Sequence, residues 1–444
     1  MRDVDIFDAL TGGLMGCAWS IHVGYVGHNG NMLPTATDNG GRLAAIVPTG
    51  LAALALGNDL PAGEVLRSAL GGPASAEAAD REARALALVP PLRSLVVLAV
   101  DGLGSANLKA RKGHAPTLAG LSHRRITTVT PSTTGAALTT LTTGRLPAEH
   151  GLVGYRIMHP ELGLLSPLRD WEGIADVRSW QHAEPLFEAA SRLGLRARVY
   201  GRPAHSGSGL TRAILTGAEY VGGDTIAERL AAATGDLAGG APTLAYVYVD
   251  ELDRAGHQFG WQSRQWSDRL EQLDRAVGDF LTGLPAQTGV VVTADHGMVD
   301  VESHQQVVFD LSDPAFADVI EVGGEPRFRT FFIDPAGDAD AFAAWLAARE
   351  GKRAWVTTRD EAFAAGLFGS AVAPGVAERV GDVILAARGQ CAYYTTADDP
   401  QSLDMVGQHG SWTDEERGIP LISAGALAQS GFAKAVEILG AAQR

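Results

Sequence analysis

Four short motifs in this 444-residue sequence carry side chains of the types that bind divalent metal ions. Carboxylate oxygens and imidazole nitrogens are ligands for Zn²⁺ and related cations. Three carboxylates and three imidazoles suffice for two adjacent sites that each keep an open coordination position. Paired metals of this kind stabilise the charge that develops in phosphoryl transfer. The candidate ligands are Asp101, Asp253, His257, Asp295, His296 and His409.

The first motif places an aspartate and a histidine four residues apart, so both can bind one metal ion. These are Asp253 and His257, and Gly256 directly before the histidine allows the backbone to pack close to the site. A five-residue pattern of this kind also arises often by chance. The pair therefore needs support from the other motifs.

The remaining ligand candidates each have a structural alternative. Asp295 and His296 directly follow an apolar segment, where a turn would expose both side chains. Adjacent side chains diverge, so this pair suits two neighbouring metals with one ligand each. The alternative is a helix-capping aspartate beside an incidental histidine. Asp101 has the same alternative role as a cap, and His409, in a glycine-flanked stretch, has that of a structural histidine.

A threonine-rich segment at 127–144 supplies candidate nucleophiles. It is predicted to run from a strand into a helix across Pro131. A hydroxyl at the helix N-terminus would meet free backbone N–H groups and the positive end of the helix dipole, which together bind anions. Such a hydroxyl, once activated, could attack phosphorus. The alternative is an ordinary N-cap, which Ser132, Thr133 or Thr134 could each provide.

The elements that must position these residues follow an alternating pattern. Continuous apolar runs rich in β-type residues are typical of strands buried on both faces in parallel sheets. Alternation with helical patterns predicts an α/β fold with a doubly wound, mostly parallel sheet and helices on both faces. Ligands in such folds bind at the carboxyl ends of the strands. The strands are predicted at 94–100, 196–200, 244–249, 289–294 and 419–422, and the helices at 184–193, 225–233 and 265–284.

The rest of the chain is assigned by composition and pattern. Residues 1–41 are predicted to be a peripheral extension, and 42–444 the catalytic domain. Within it, about 310–400 lacks ligand-like motifs and is predicted to be an inserted, cap-like subdomain with strands at 327–333 and 381–387 and a helix at 339–349. The apolar stretch 43–56 predicts one or two buried helices, and 74–88 a surface helix or a connector.

Bulk properties narrow the expected partners and location. The net charge of -15, without a long Lys/Arg run, argues against nucleic acid as a general partner. The stretch 43–56 is too short to span a bilayer, and the acidic start is unlike a secretory signal. Cys17 and Cys391 lack CxxC partners. We expect a cytoplasmic protein without a membrane span, present as a monomer or homodimer.

The order of the motifs resembles the alkaline phosphatase superfamily, and most of all its branch of type I phosphodiesterases and nucleotide pyrophosphatases. The matching motifs extend from Val97 to about Ile422. They are a strand ending in Asp-Gly, then Pro-x-x-Thr before a helix ending in Thr-Gly, then Asp-x-x-Gly-His, Ala-Asp-His-Gly-Met and finally His-Gly.

The resemblance implies a role for each of these residues. Asp101, Thr134, Asp295 and His296 would surround one zinc, and Asp253, His257 and His409 would hold the other. Thr134 lies three residues after Pro131 and ten before Gly144, where the family places its nucleophile. It would form a phospho-threonine intermediate that water then hydrolyses. The implied cofactors are two divalent ions, Zn²⁺ by resemblance, with Mn²⁺ or Fe as alternatives that Asp and His also bind.

The implied substrate is a small-molecule phosphoryl ester, either a phosphodiester or a nucleotide pyrophosphate. One departure bears on this expectation. The family's Asn three residues after the nucleophile is Ala137 here, and its Phe-Pro pair is Gly135-Ala136, so the pocket beside the phosphate is predicted to be less polar. Alternatives on the same scaffold are a phosphonate C–P hydrolase and a phosphomonoesterase. A metal-stabilised binding protein is the non-enzymatic alternative.

Several other residues near the motifs have no assigned role. The arginine with which monoesterases of the superfamily hold phosphate is not identifiable, since Arg145 and Arg156 are close in sequence only. His150 matches a family turn and is expected to be structural. Tyr155 and Trp412 are candidates for the pocket wall, although buried aromatics are more often core residues.

Overall fold

The computed structural model describes residue 33 and residues 39–71 and 75–443. Most of the predicted extension 1–41 lies outside the described residues, as does Cys17, so the division into extension and catalytic domain stays a prediction. In chain order the strands are β1 (Ser94–Val100), β2 (Ser122–Thr127), β3 (Ile157–His159), β4 (Gly163–Leu165), β5 (Arg196–Gly201), β6 (Glu219–Gly222), β7 (Thr243–Val249), β8 (Thr288–Thr293), β9 (Val299–Asp300), β10 (Gln306–Phe309), β11 (Val319–Glu325), β12 (Phe328–Ile333), β13 (Ala354–Thr358), β14 (Val383–Ala387), β15 (Ala392–Thr395), β16 (Gly407–Gln408) and β17 (Gly418–Gly425).

The α-helices of the same described ranges surround these strands. In chain order they are α1 (Gly41–Ala44), α2 (Ile46–Gly57), α3 (Ala62–Leu70), α4 (Ala76–Leu86), α5 (Ser105–Ala110), α6 (Pro116–Gly120), α7 (Thr134–Thr143), α8 (Pro147–His150), α9 (Val177–Trp180), α10 (Leu186–Arg192), α11 (Gly209–Ile214), α12 (Ile226–Ala238), α13 (Glu251–Phe259), α14 (Arg264–Thr282), α15 (Ala339–Glu350), α16 (Arg359–Ala364), α17 (Asp414–Arg417) and α18 (Phe432–Gly440).

A large, mostly parallel sheet forms the centre of the molecule. Its strand order is β2-β17-β8-β1-β7-β5-β6, and β17 is antiparallel to both β2 and β8. Every residue of β1 is buried, as expected for a central strand covered on both faces. Helices pack on both faces of this sheet. The predicted fold class, α/β with a doubly wound and mostly parallel sheet, is confirmed.

Asp253 follows β7 but lies within a helix rather than in the turn after the strand. It is the third residue of α13. The chain passes from Val249 through a single residue, Asp250, directly into the helix. Because residues four apart lie on the same face of an α-helix, this places Asp253 and His257 next to each other.

A second, antiparallel sheet lies in the region 310–400. Its strand order is β11-β12-β14-β13, and its own apolar cluster includes residues of α15. The predicted strands at 327–333 and 381–387 and the helix at 339–349 match β12, β14 and α15. Within the described ranges, no helix combines the length and apolar character needed to cross a bilayer.

Candidate metal centre

The candidate ligands meet at the carboxyl-terminal edge of the central sheet. Strands β1 and β8 are neighbours; Asp101 directly follows β1, and Asp295 and His296 follow β8 after one residue. Helix α13 begins just after β7, the other neighbour of β1. The short strand β16 leads into the last histidine, and the candidate nucleophile is the first residue of α7. These elements bring together Asp101, Thr134, Asp253, His257, Asp295, His296 and His409.

The first group of side chains surrounds His296. Its Nε2 lies 3.3 Å from Asp101 Oδ1 and 3.5 Å from Asp295 Oδ2. Thr134 Oγ1 lies 3.2 Å from the same nitrogen. Candidate ligand atoms of Asp101, Asp295 and His296 all lie within 4.8 Å of one another, which is close enough to share one cation. Asp295 and His296 therefore fall in one group, whereas their adjacency predicted one ligand for each of two metals.

The second group surrounds Asp253. Its Oδ1 lies 3.3 Å from His257 Nε2 and 4.0 Å from His409 Nε2. The two groups are adjacent, because the rings of His296 and His409 stack with centroids 3.6 Å apart. The two groups could each hold one cation, and they contain the same ligand residues that the sequence resemblance groups together.

The carboxylates of both groups have the unsatisfied oxygens expected at a metal site. Asp101 Oδ2 accepts a hydrogen bond from the Tyr248 hydroxyl, and Asp295 Oδ1 accepts from two backbone N–H groups, those of residues 102 and 296. The buried oxygens Asp101 Oδ1, Asp295 Oδ2 and Asp253 Oδ1 have no hydrogen-bond partner within the described ranges. Unpaired buried carboxylate oxygens are costly, and a cation would satisfy them.

The histidines have the hydrogen-bond pattern of metal ligands. His257 Nδ1 lies 2.8 Å from the Gly407 carbonyl oxygen, His296 Nδ1 lies 3.1 Å from that of Gly297, and His409 Nδ1 lies 2.9 Å from that of Ser132. A carbonyl only accepts, so in each ring Nδ1 carries the proton and Nε2 keeps its lone pair. In both groups Nε2 is the nitrogen that faces the carboxylates.

The electrostatics of the site also favour cation binding. Burial, with added repulsion from Asp253 and Asp295, raises the pKa of Asp101 well above its ordinary value. Burial likewise raises the pKa of Asp253. Burial, followed by the neighbouring rings of His296 and His257, lowers the pKa of His409 well below its ordinary value. The neutral imidazole that a metal requires is therefore the favoured form of His409, whereas the clustered carboxylates need positive charge beside them.

Two glycines allow the backbone to approach the site. Gly102 has a φ of 74°, and a Cβ there would lie 3.1 Å from Asp253 Cα. Gly256 packs against Gly407 and Met298, where a Cβ would lie 2.3 Å from the Met298 sulfur. The expectation that the glycine before His257 permits close packing agrees with this contact.

The candidate nucleophile lies at the start of a buried helix. Thr134 follows the N-cap residue Thr133, and its side chain faces the first group of ligands. Ser132, one of the alternatives, donates its hydroxyl to the Ser411 carbonyl instead. The first N–H groups of a helix have no intrahelical acceptor, so an anion bound at Thr134 would meet free donors.

A cavity of about 690 Å³ opens onto the candidate nucleophile Thr134 and several candidate ligands, among them Asp101 and Asp253. Tyr155 and Arg156 line it, whereas Trp412 packs in the core against Phe328, with ring centroids 5.7 Å apart. Arg145 donates to the carbonyl of Ala69 and does not line the cavity. Of the two arginines close to the nucleophile in sequence, only Arg156 can therefore contact a bound substrate.

Sequence reasoning missed other residues of the cavity. The sequence predicts no ligand-like motif in the region 310–400, yet Glu325, Arg329 and Asp398 line the cavity. Glu325 Oε2 lies 3.7 Å from His409 Nδ1, and burial raises its pKa well above the ordinary value. Tyr248 was also missed, although two tyrosines alternating in the otherwise apolar strand 244–249 were a usable signal. No local pattern marks Glu325, because its approach depends on tertiary packing.

Residues 95–412 match the model of the type I phosphodiesterase / nucleotide pyrophosphatase family, and the chain belongs to this family. A Schizosaccharomyces pombe protein named as an uncharacterized pyrophosphatase/phosphodiesterase is 25% identical over 52% of this chain and 51% of its own length. Human ectonucleotide pyrophosphatase/phosphodiesterase family member 7 is 25% identical over 41% of this chain and 42% of its own length. This chain thus spans about half, or less, of the curated relatives it matches.

Two solved structures share the fold. Murine ectonucleotide pyrophosphatase/phosphodiesterase 5 has a TM-score of 0.59 at 19% identity, covering 74% of this chain and 88% of that one. A phosphonoacetate hydrolase from Sinorhizobium meliloti 1021, in complex with phosphonoformate, has a TM-score of 0.58 at 20% identity, covering 79% and 97%. Both structures therefore support the same alkaline phosphatase-like fold for this chain, independently of the family assignment.

Proposed function

We propose that this protein is a metal-dependent hydrolase of phosphoryl esters, acting on phosphodiesters or nucleotide pyrophosphates. The observation that carries the proposal is the pairing of two ligand groups with a threonine hydroxyl at a helix N-terminus. Asp101, Asp295 and His296 would hold one ion and Asp253, His257 and His409 the other, with Thr134 beside the first. When bound, two Zn²⁺ ions would offset the charge on the phosphoryl oxygens and favour the deprotonated form of the hydroxyl.

The chain's own residues would act in two displacement steps. Thr134 Oγ1 attacks phosphorus, its bond to phosphorus forms as the bond to the leaving oxygen breaks, and the hydroxyl proton ends on the leaving group, an alcohol from a diester or a phosphate from a pyrophosphate. Water then attacks the phospho-threonine, and Thr134 Oγ1 leaves with a proton from that water. Free N–H groups at the start of α7 would bind the phosphoryl oxygens through both steps.

One purified sample tests the proposal. Metal content is measured together with hydrolysis of bis-p-nitrophenyl phosphate, p-nitrophenyl phosphate and phosphonoacetate. We expect about two metals per chain and fastest turnover of the diester. Thr134→Ala should keep the metals and lose turnover by about a thousandfold or more, as expected when a nucleophile is removed.

The same measurements address the alternatives. A protein that binds no metal and stays inactive after zinc or manganese is added would contradict the proposal. Full activity of Thr134→Ala would show that Thr134 is not the nucleophile. Metal binding without any turnover would favour a metal-stabilised binding protein.

A phosphonate C–P hydrolase is the second candidate function. The observation that favours it is Ala137, a fully buried residue at the position of the family's phosphate-contacting asparagine. The likeness to the phosphonoacetate hydrolase concerns the fold and is compatible with this reading. Release of phosphate from phosphonoacetate, without turnover of the diester, would select this candidate.

A further inference from the structure

A partly buried arginine in the cavity wall has no partner in the protein. The side chain of Arg156 makes no hydrogen bond or ion pair with any residue that the structure describes, although it lines the same cavity as Thr134 and Asp253. Its backbone is fixed, because the carbonyl of Arg156 accepts a hydrogen bond from Gly324 N at 2.9 Å. Gly324 precedes Glu325, which contacts His409. The backbone of Arg156 is thus held beside the strand that carries Glu325.

A second arginine in the cavity wall is paired. Arg329 donates from Nη2 to Asp398 Oδ2 at 2.6 Å and from Nε to the Tyr393 carbonyl at 2.8 Å. Its pKa is lowered, mainly by burial, and the positive charge of Arg156 adds to the lowering, while Asp398 opposes it. The two guanidinium groups are therefore close enough to repel each other.

The nearby carboxylate is fully engaged. Asp398 Oδ2 accepts from Arg329 and also from Thr395, through its backbone N–H at 2.7 Å and its hydroxyl at 3.0 Å. Glu325 is directed towards His409. Neither carboxylate forms an ion pair with Arg156, so this part of the cavity carries an unmatched positive charge.

Two further arginines line the cavity, and both are exposed. Arg254 lies 4.0 Å from Asp250, and Arg169 is open to solvent. Arg156 is therefore the partly buried arginine of the cavity wall that has no ion pair within the described ranges.

We propose that Arg156, beside Arg329, binds a second anionic group on the organic part of the substrate. This inference rests on the proposed function, and it narrows the substrate class to phosphoryl compounds that also carry a carboxylate or a further phosphate. The planar guanidinium fits both groups through two parallel hydrogen bonds. Phosphoryl esters with an uncharged organic part would still reach the metal centre, but they would leave the Arg156 guanidinium unpaired.

The test is a calorimetric comparison of binding by the full-length, zinc-loaded protein. The probes with a second anion are 3-phosphonopropionate, 4-phosphonobutyrate and propane-1,3-bisphosphonate, and the matched neutral-tail probes are propylphosphonate and butylphosphonate. We expect about tenfold or tighter binding of at least one doubly anionic probe over its matched alkyl phosphonate. The carboxylate and bisphosphonate arms then identify which second anion is preferred.

Substitutions locate the preference. Arg156→Met should remove it while leaving alkylphosphonate binding almost unchanged, and Arg156→Lys should keep part of it because the charge remains. Arg212→Met is the matched control, because Arg212 is exposed and does not line the cavity. It should keep the full preference.

The outcomes separate this inference from the proposed function. No preference for doubly anionic probes in the wild-type protein would overturn the inference, because Arg156 would then bind no second anion. An equal loss of affinity for all probes in Arg156→Met would also overturn it, because Arg156 would then contact the phosphoryl group itself. A preference that depends on Arg156, in a protein that hydrolyses no ester, would support the inference and contradict the proposed function.

Discussion

Hydrogen bonds around the candidate ligands fix which atom of each side chain is free. Backbone carbonyls accept hydrogen bonds from Nδ1 of His257, His296 and His409. The Tyr248 hydroxyl donates a hydrogen bond to one carboxylate oxygen of Asp101. Partners of this kind orient metal ligands and raise their affinity. Tyr248 is the one among them that can be changed without touching the backbone.

Tyr248→Phe is expected to weaken metal binding by about 10- to 100-fold, because Asp101 loses the hydrogen bond that orients it. A titration against a competing chelator measures the effect. Tyr246→Phe is the matched control: Tyr246 lies two residues earlier on β7, and its buried hydroxyl has no hydrogen-bond partner in the part of the chain that the structure describes. Equal affinities for the two variants would mean that the Tyr248 contact does not support the site.

His150 shows the opposite use of a buried histidine, since it lies away from the ligand groups. Its Nε2 lies 3.0 Å from Thr140 Oγ1, and its Nδ1 accepts from Leu152 N at 3.1 Å. Burial lowers the pKa of His150 to about 3 from an ordinary value of 6.5. The ring is neutral in the folded protein and holds the turn after α7, in agreement with its expected structural role.

This pKa shift predicts a pH-dependent contribution to stability. As pH falls below 6.5 the unfolded chain binds a proton at His150, whereas the folded protein does not until about pH 3. The difference in free energy of unfolding between wild type and His150→Gln should therefore decrease as pH falls from 6.5 towards 3. Urea unfolding near neutral pH and at mildly acidic pH measures it. The exposed His304→Gln should show no such trend, and a pH-independent difference for His150→Gln would contradict neutral burial.

At the scale of elements, a buried ion pair joins the second sheet to the segment that follows His409. Arg327 donates from Nε and Nη2 to the two carboxylate oxygens of Glu416 at 2.7 and 2.8 Å, and both side chains are fully buried. Glu416 Oε1 also accepts from Ser411 N at 3.0 Å. The pair thus links the start of β12 to α17, and Ser411 ties the loop before α17 to the same carboxylate.

Arg327→Met should lower the free energy of unfolding by about 3–5 kcal/mol, because it leaves the buried Glu416 carboxylate without a positive charge beside it. Urea denaturation measures the change. Arg125→Met breaks an exposed pair with Asp414 and should cost less than about 1 kcal/mol. Similar small losses in both variants would show that the buried pair contributes no more than a surface one.

At the scale of the whole molecule, the candidate metals would tie separate elements together. The ligands come from the ends of β1 and β8, from α13 and from the loop after β16, and these elements are distant in sequence. Ions that bind only the folded state stabilise it by mass action, by about 2.7 kcal/mol per site at free metal about 100 times Kd. A chelator should therefore lower the melting temperature of the whole protein.

The size of that loss should grow with pH. In the metal-free protein the raised pKa values of Asp101 and Asp253 mean that their ionisation opposes folding. This opposition is absent below the ordinary pKa of about 4 and increases as pH rises through the raised values. Bound cations would offset it. Calorimetric melting with and without chelator over a pH series is the measurement, and a gap that narrows with rising pH would contradict the assignment.

Much of the fold and the candidate ligand set could be predicted from the sequence, because both depend on local patterns of residue type and spacing. A buried parallel strand needs an unbroken apolar run, and the prediction at 94–100 coincides with β1. The turn after such a strand lies at the carboxyl edge of the sheet, so Asp101 and Asp295 could be expected to meet. Motif order and the distances from Pro131 and Gly144 gave Thr134.

Tertiary structure decided what no local pattern encodes. Asp253 and His257 face one site because β7 passes into α13 after a single residue. Glu325 and Arg329 reach the cavity because the second sheet packs against the segment at Arg156, and the partner of each buried polar atom depends on contacts distant in sequence. The sequence by itself therefore determined the fold class and the candidate ligands, whereas their hydrogen-bond partners, the charge balance of the cavity and the unpaired Arg156 depend on how those elements pack.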